Sequence, residues 1–103
     1  MKRVFICSRF AGDVNQNIET ARNLCRRAVA QDCAPFAPHL LYPQFMDDTR
    51  PNERETGIAC GLEFMAEGDE VWAYVGDGVS DGMRHELAHA HRLGKPIIEL
   101  KEI

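Results

Sequence analysis

The stretch Val71–Leu93, VWAYVGDGVSDGMRHELAHAHRL, constrains the fold more than any other part of the chain. It opens with five apolar residues, Val71-Trp72-Ala73-Tyr74-Val75, and stops at Gly76. A run of that length beside glycine punctuation predicts a buried strand. The turn Gly76-Asp77-Gly78-Val79-Ser80-Asp81-Gly82 follows, and then Met83, Leu87 and Ala90 recur on one face of a predicted helix over Ser80–Leu93. Strand, glycine-rich loop and helix together aim backbone N–H groups and a helix N-terminus at an anion. Glu86 falls about one turn into that helix, within reach of whatever the loop binds. The same residues spell a second pattern. His85-Glu86-Leu87-Ala88-His89 matches H-E-x-x-H, which in zinc hydrolases sets two histidines on one helix face with a glutamate base.

The rest of the chain repeats the β-loop-α theme. Arg3–Cys7 is a continuous apolar run and predicts a first strand buried on both faces. The polar turn Ser8–Asp13 contains Gly12, and Asp13 is placed to cap the next helix. Over Val14–Gln31, Ile18, Ala21, Cys25 and Ala28 form a helical stripe that Leu24 and Val29 widen. Cys33–Ala37 predicts a short second strand, with Pro35 marking it as near an edge. Pro38–Asp48 fits neither period and reads as a loop over a pocket. Asn52 or Thr49 is the expected start of a helix from about Glu53 to Glu67, striped by Ile58, Leu62 and Met65, with Gly57 and Gly61 allowing close packing. Gly94 closes the helix after the central stretch, and Ile97–Leu100 is the last strand. Alternating strands and helices imply a parallel sheet covered on both sides. The expected architecture is a small Rossmann-like (flavodoxin-like) α/β sandwich of three layers, with four parallel strands in the order 2-1-3-4. Its switch point, between the first and third strands, sets Ser8–Asp13 beside Asp77–Gly82, where such folds bind ligands.

Composition narrows the classes further. A chain of 103 residues is a single domain with one modest core. Twelve basic against sixteen acidic residues give a net charge of −4, with no electrostatic footprint for nucleic acid. No apolar run approaches the roughly 18 residues of a membrane span, and no signal-peptide core is visible. Cys7, Cys25, Cys33 and Cys60 are scattered, without a C-x-x-C pair, and read as buried thiols of a cytoplasmic protein.

Ser80-Asp81-Gly82-Met83-Arg84-His85-Glu86-Leu87-Ala88-His89-Ala90 resembles the S-x-G-x-x-x-E-L-G-x-A signature of the nucleoside 2-deoxyribosyltransferase-like superfamily, which includes deoxynucleoside 5′-monophosphate N-glycosidases. Leu93-Gly94-Lys95-Pro96-Ile97 resembles that family's exit from the helix. The first loop, Cys7–Asp13, and the middle of the chain from Ala37 to Glu63 look nearer still to a group of short proteins of bacteria and phages. The resemblance spans nearly the whole chain and implies one domain of this type over residues 1–103. It also implies a nucleoside or nucleotide substrate, no cofactor, and a homodimer or homotetramer. Carried over by position, Glu86 is the nucleophile, and Ser80 and Gly82 lie against sugar or phosphate. Asp81, Met83, Ser8, Arg9, Gly12 and His39 complete the expected substrate contacts.

In this reading a carboxylate stabilises oxocarbenium character at C1′ and captures it, and water or a second base resolves the intermediate. The leaving base needs a proton, for which Asp77, Asp81, Glu63 and His39 are candidates that spacing does not separate; Asp77 is taken with Glu86 as the catalytic pair. A 5′-phosphate rests on Ser80, the Gly82 N–H and Ser8 with Arg9. The zinc reading lacks a third ligand, because His91 lies on a different face from His85 and His89. A binding protein that does not cleave its nucleotide is the main alternative. The feature favouring it is Gly61, in Gly61-Leu62-Glu63, where the resembling enzymes carry an acid.

Overall fold

The computed structural model describes residues 1–103. Strand β1 (Lys2–Cys7) leads through the first loop into helix α1 (Val14–Ala30), followed by β2 (Cys33–Phe36). Two short 3₁₀ turns, Pro38–Leu40 and Tyr42–Gln44, precede helix α2 (Pro51–Met65). Strand β3 (Glu70–Tyr74), helix α3 (Asp81–Arg92) and strand β4 (Ile97–Leu100) complete the chain. The strands form one parallel sheet in the order β2-β1-β3-β4, as expected.

Strand alternation splits the core between the two faces of the sheet. Val4, Ile6 and Trp72 pack with Leu24 and Ala28 of α1 on one side. Phe5, Cys7, Val71 and Ala73 pack with Met65, Met83 and Ala90 of α2 and α3 on the other. The central pair, β1 and β3, is thus buried on both faces. Asp69 fixes its register: its N–H donates to the Arg3 carbonyl at 2.8 Å, while its carboxylate accepts from the Arg3 N–H at 2.7 Å.

The helix ends follow local chemistry. The Asp13 carboxylate accepts from the Gln16 N–H and caps α1. The Gly94 φ of +69° ends α3, with Gly94 and Lys95 donating back to His91 and Ala90. The Lys95 ammonium then turns to the Ala66 and Gly68 carbonyls just beyond α2, satisfying acceptors that the helix end leaves open.

Two expectations are corrected. Helix α2 begins at Pro51, before Glu53, and neither Thr49 nor Asn52 caps it. Thr49 instead closes a turn on the Asp47 carboxylate, and Pro51, with φ preset for the first helical position, starts the helix. Val29 does not widen the buried stripe of α1; it is 62% exposed. Asn17 and Thr20 take buried places instead. The Asn17 amide donates to the Phe10 and Ala11 carbonyls and so ties the first loop to α1. Of the cysteines, Cys7 and Cys33 are buried, whereas Cys25 and Cys60 are half-buried.

Leu24, fully enclosed between α1 and the sheet, and Val29 provide a paired test. Leu24→Ala is expected to cost about 2–5 kcal/mol in a denaturant titration. Val29→Ala is expected to stay within about 0.5 kcal/mol of wild type. Equal losses would contradict the burial assigned to the two faces of α1.

Candidate functional site

The site grows from the ends of β1 and β3. Where β1 stops, the Arg9 guanidinium crosses to the second loop and donates to the Asp77 carbonyl at 2.9 Å. The two glycine-containing loops are therefore neighbours, as the predicted switch point required. Ser80, in extended conformation, accepts the Met83 N–H at 3.2 Å and caps α3. Three residues past Met83, on the side of the helix that faces the sheet, stands Glu86.

Glu86 is 3% exposed, and its Oε1 atom has no hydrogen-bond partner. Burial pushes its carboxyl up to about 8, against the opposing effect of a contact from the Cys7 thiol. Burial and the neighbouring glutamate in turn hold that thiol far above the usual range. A buried carboxyl with an unpaired oxygen costs free energy in such a place, which marks it as a functional candidate. The Ser8 hydroxyl, also buried, is partnerless as well. The Ser8 carbonyl is not: His39 Nε2–H donates to it at 2.8 Å. That bond fixes the neutral tautomer and leaves Nδ1 as an acceptor. Burial lowers the His39 pKa, opposed by the Ser8 carbonyl and Asp48 and reinforced by Arg54. Phe10 packs on the His39 ring, with centroids 5.1 Å apart.

A cleft runs from Glu86 to the surface. Phe10, His39, Asp48, Arg54, Ile58, Ser80, Gly82, Met83 and Glu86 border its inner recess. Pro38, Tyr42, Pro43 and Met46 roof the adjoining part, so the segment between β2 and α2 does lie over a pocket. The inner recess offers about 40 Å³, room for little more than water. Outward, between the first turns of α2 and α3, it shares walls with an open groove of about 360 Å³ bordered by Thr49, Asp81 and His85.

The expected site residues separate accordingly. Glu86, His39, Ser80, Gly82 and Met83 gather around the recess, and Asp81 borders the outer groove. Ser8 lies beneath His39 without bordering the cleft. Arg9 is engaged with Asp77, Gly12 is exposed in a turn with φ +99°, and the Asp77 side chain is exposed outside the lining. Glu63 is exposed on α2, away from the lining. Arg54 and Asp48 border every part of the cleft and were not anticipated. The only available signal was position, since neither belongs to a motif. Gly61 is buried against Pro38; a Cβ there would stand 3.3 Å from the proline Cβ, so a side chain at this position needs Pro38 to give by a few tenths of an ångström. The H-E-x-x-H histidines diverge from Glu86: His85 is exposed, and His89 contacts Arg92. No three His, Cys, Asp or Glu side chains converge as a metal-binding group.

Residues 2–100 match the model of a family described as a domain of unknown function, DUF7768. The chain belongs to this family. No curated protein matches the DUF7768 chain, but solved structures do. A 2-deoxyribosyltransferase from the psychrotolerant bacterium Bacillus psychrosaccharolyticus superposes with a TM-score of 0.76 at 19% identity, over 98% of this chain and 75% of that one. The CMP N-glycosidase BcmB of Clostridium botulinum gives 0.60 at 23% identity, over 95% and 67%. A 2-deoxyribosyltransferase of Leishmania mexicana gives 0.65 at 18% identity, over 97% and 64%. The DUF7768 chain therefore has the fold of these proteins, as the resemblance implied, and spans 64% to 75% of their length. No helix is long and apolar enough to cross a membrane.

The raised Glu86 pKa carries a stability signature. Between the ordinary carboxyl value and about 8, the folded chain holds a proton that the unfolded chain has lost. Stability must then fall as pH rises through that window and level off above it. Glu86→Gln is expected to remove this decline, so that the variant gains on wild type steadily from pH 5 to pH 8 in urea titrations. Taking the difference cancels the opposite contribution of His39. Parallel pH profiles for the two proteins would contradict the burial of an uncompensated carboxyl.

Proposed function

We propose that this DUF7768 protein cleaves the N-glycosidic bond of a nucleoside or its 5′-monophosphate, as a hydrolase or as a deoxyribosyltransferase, with Glu86 as nucleophile. The observation that carries the reading is the buried Glu86 carboxyl at the foot of the cleft, whose Oε1 has no hydrogen-bond partner. The likeness in fold to two deoxyribosyltransferases and a CMP N-glycosidase supports it.

The chemistry balances as follows. The Glu86 carboxylate attacks C1′ while the C1′–N bond breaks, and its electron pair leaves with the base. The base takes a proton, and a glycosyl ester remains on Glu86. Water, or the nitrogen of a second base, then attacks C1′, loses its proton, and returns the carboxylate. His39 is a poor source of the first proton, because its N–H is committed to the Ser8 carbonyl. Asp48, inside the cleft, is better placed than Asp77, whose carboxylate lies outside the lining. A nucleoside exceeds the inner recess, so the 3₁₀ roof must shift on binding. Self-association as a homodimer or homotetramer belongs to the same proposal and draws on exposed Phe45, Phe64 and Ile98.

Gly61 favours a second reading, a nucleotide-binding protein that does not turn its ligand over. It supplies no carboxyl where the resembling enzymes carry an acid, and a Cβ there would press on Pro38 at 3.3 Å. Chromatography of free base, released from deoxynucleosides, ribonucleosides and their 5′-monophosphates, separates the two. Release that persists with a chelator and disappears in Glu86→Gln is expected. Binding without release would establish the second reading.

The pH profile provides a further check. The free protein must lose the Glu86 proton before attack, so kcat/KM is expected to rise with pH and level off near about 8. A profile that is flat or falling between pH 6 and 9 would count against Glu86 as the attacking group.

A further inference from the structure

Arg54 is a cation without an anion. Its neighbours are matched: Arg50 with Asp47 and Glu53, and Arg84 with Asp81 at 2.8 Å. Arg54, in the first turn of α2, has no carboxylate within salt-bridge distance, although Asp48 borders the same cleft. Its Nη2 atom reaches across to α3 and lies 3.6 Å from where a Cβ on Gly82 would stand. The Asp81 and Gly82 amides open α3, and the Ser80 side chain accepts only the Met83 N–H, so those two donors have no acceptor in the chain. A free guanidinium and two free amides at the positive end of a 12-residue helix converge on one place. Arg54 and Gly82 border both the outer groove, with Asp81, and the inner recess, where the buried Oε1 of Glu86 has no partner.

We propose that Arg54, with the Gly82 and Asp81 amides, seats a phosphomonoester, so that the preferred substrate is a nucleoside 5′-monophosphate and not the free nucleoside. This inference rests on the N-glycosidase reading above and adds to it the residue that selects among substrates. The cation expected for that role from the first loop, Arg9, is held by the Asp77 carbonyl and lies against Gly78. Gly82 lets the two elements stand close: a Cβ there would already be in van der Waals contact with the Arg54 guanidinium, 3.6 Å away. The Asp81 carboxylate is turned to Arg84 and does not close the seat.

The test measures binding apart from turnover. Calorimetric titrations use the Glu86→Gln protein with Arg54, Arg54→Gln or Arg54→Lys, against each deoxynucleoside and ribonucleoside, its 5′-monophosphate, and inorganic phosphate. The monophosphate is expected to bind more tightly than its nucleoside. Arg54→Gln is expected to weaken it by roughly 10- to 100-fold, the loss of a charge-assisted contact, and to weaken the nucleoside far less. Arg54→Lys, which keeps the charge without the fork, is expected to recover part of that loss. Equal affinity for nucleoside and monophosphate, or a monophosphate preference that survives Arg54→Gln, would overturn the proposal while leaving the glycosidase reading intact. Binding of inorganic phosphate without any nucleotide preference would reduce the seat to a free-ion site and overturn the substrate assignment. No binding of any nucleoside or nucleotide would overturn the glycosidase reading itself.

Discussion

Everything in this molecule depends on the parallel pairing of β1 with β3. The pair is enclosed on both faces, and its register runs from Val4 opposite Glu70 to Cys7 opposite Ala73. Because the strands are parallel, both chains leave the sheet at the same edge. The first loop and the glycine-rich loop must then stand together, as the bond from Arg9 to the Asp77 carbonyl records. Helix α3 starts directly above that edge, and its inward face continues the core through Met83 and Ala90. Glu86 occupies a position on that face where another apolar residue would pack without cost.

The site can be understood as the place where packing is given up. The core beneath is apolar up to Cys7, and the next two groups, the Ser8 hydroxyl and the Oε1 atom of Glu86, are both buried without a hydrogen-bond partner. The 3₁₀ roof leaves a recess too small for a substrate, with the Glu86 residue in its lining. Burial raises the Glu86 pKa to about 8, so the neutral form predominates at neutral pH. A bound cation-like sugar centre would reverse that preference, since a nearby positive charge favours the carboxylate. The same environment that destabilises the fold thus prepares the group for the proposed attack.

The sequence revealed the sheet and α3 clearly because each was specified twice, by apolar pattern and by punctuation. Val71–Tyr74 ends at Gly76, and Ser80 and Gly94 bracket α3. The limits of α2 were less legible: Thr49 resembles a cap, but its hydroxyl bonds Asp47, a choice that only the turn geometry decides. The burial of Asn17 and the exposure of Val29 likewise depend on where the first loop crosses α1. In the site, Glu86 and Ser80 could be read from their spacing within one loop and helix. Arg54 and Asp48 could not, because they reach the cleft from α2 and the preceding turn, more than 25 residues away in sequence, and no local pattern encodes that approach.

The central claim is that Glu86 forms a bond to the sugar. Its most direct test is mass spectrometry of the protein after incubation with a 2′-deoxy-2′-fluoro nucleoside or its 5′-monophosphate, whose fluorine slows release of the glycosyl ester. The account predicts a mass increment equal to the fluorinated sugar, located by peptide fragmentation at Glu86 and lost in Glu86→Gln. Release of free base from a natural substrate, with an adduct on a different residue, would contradict it.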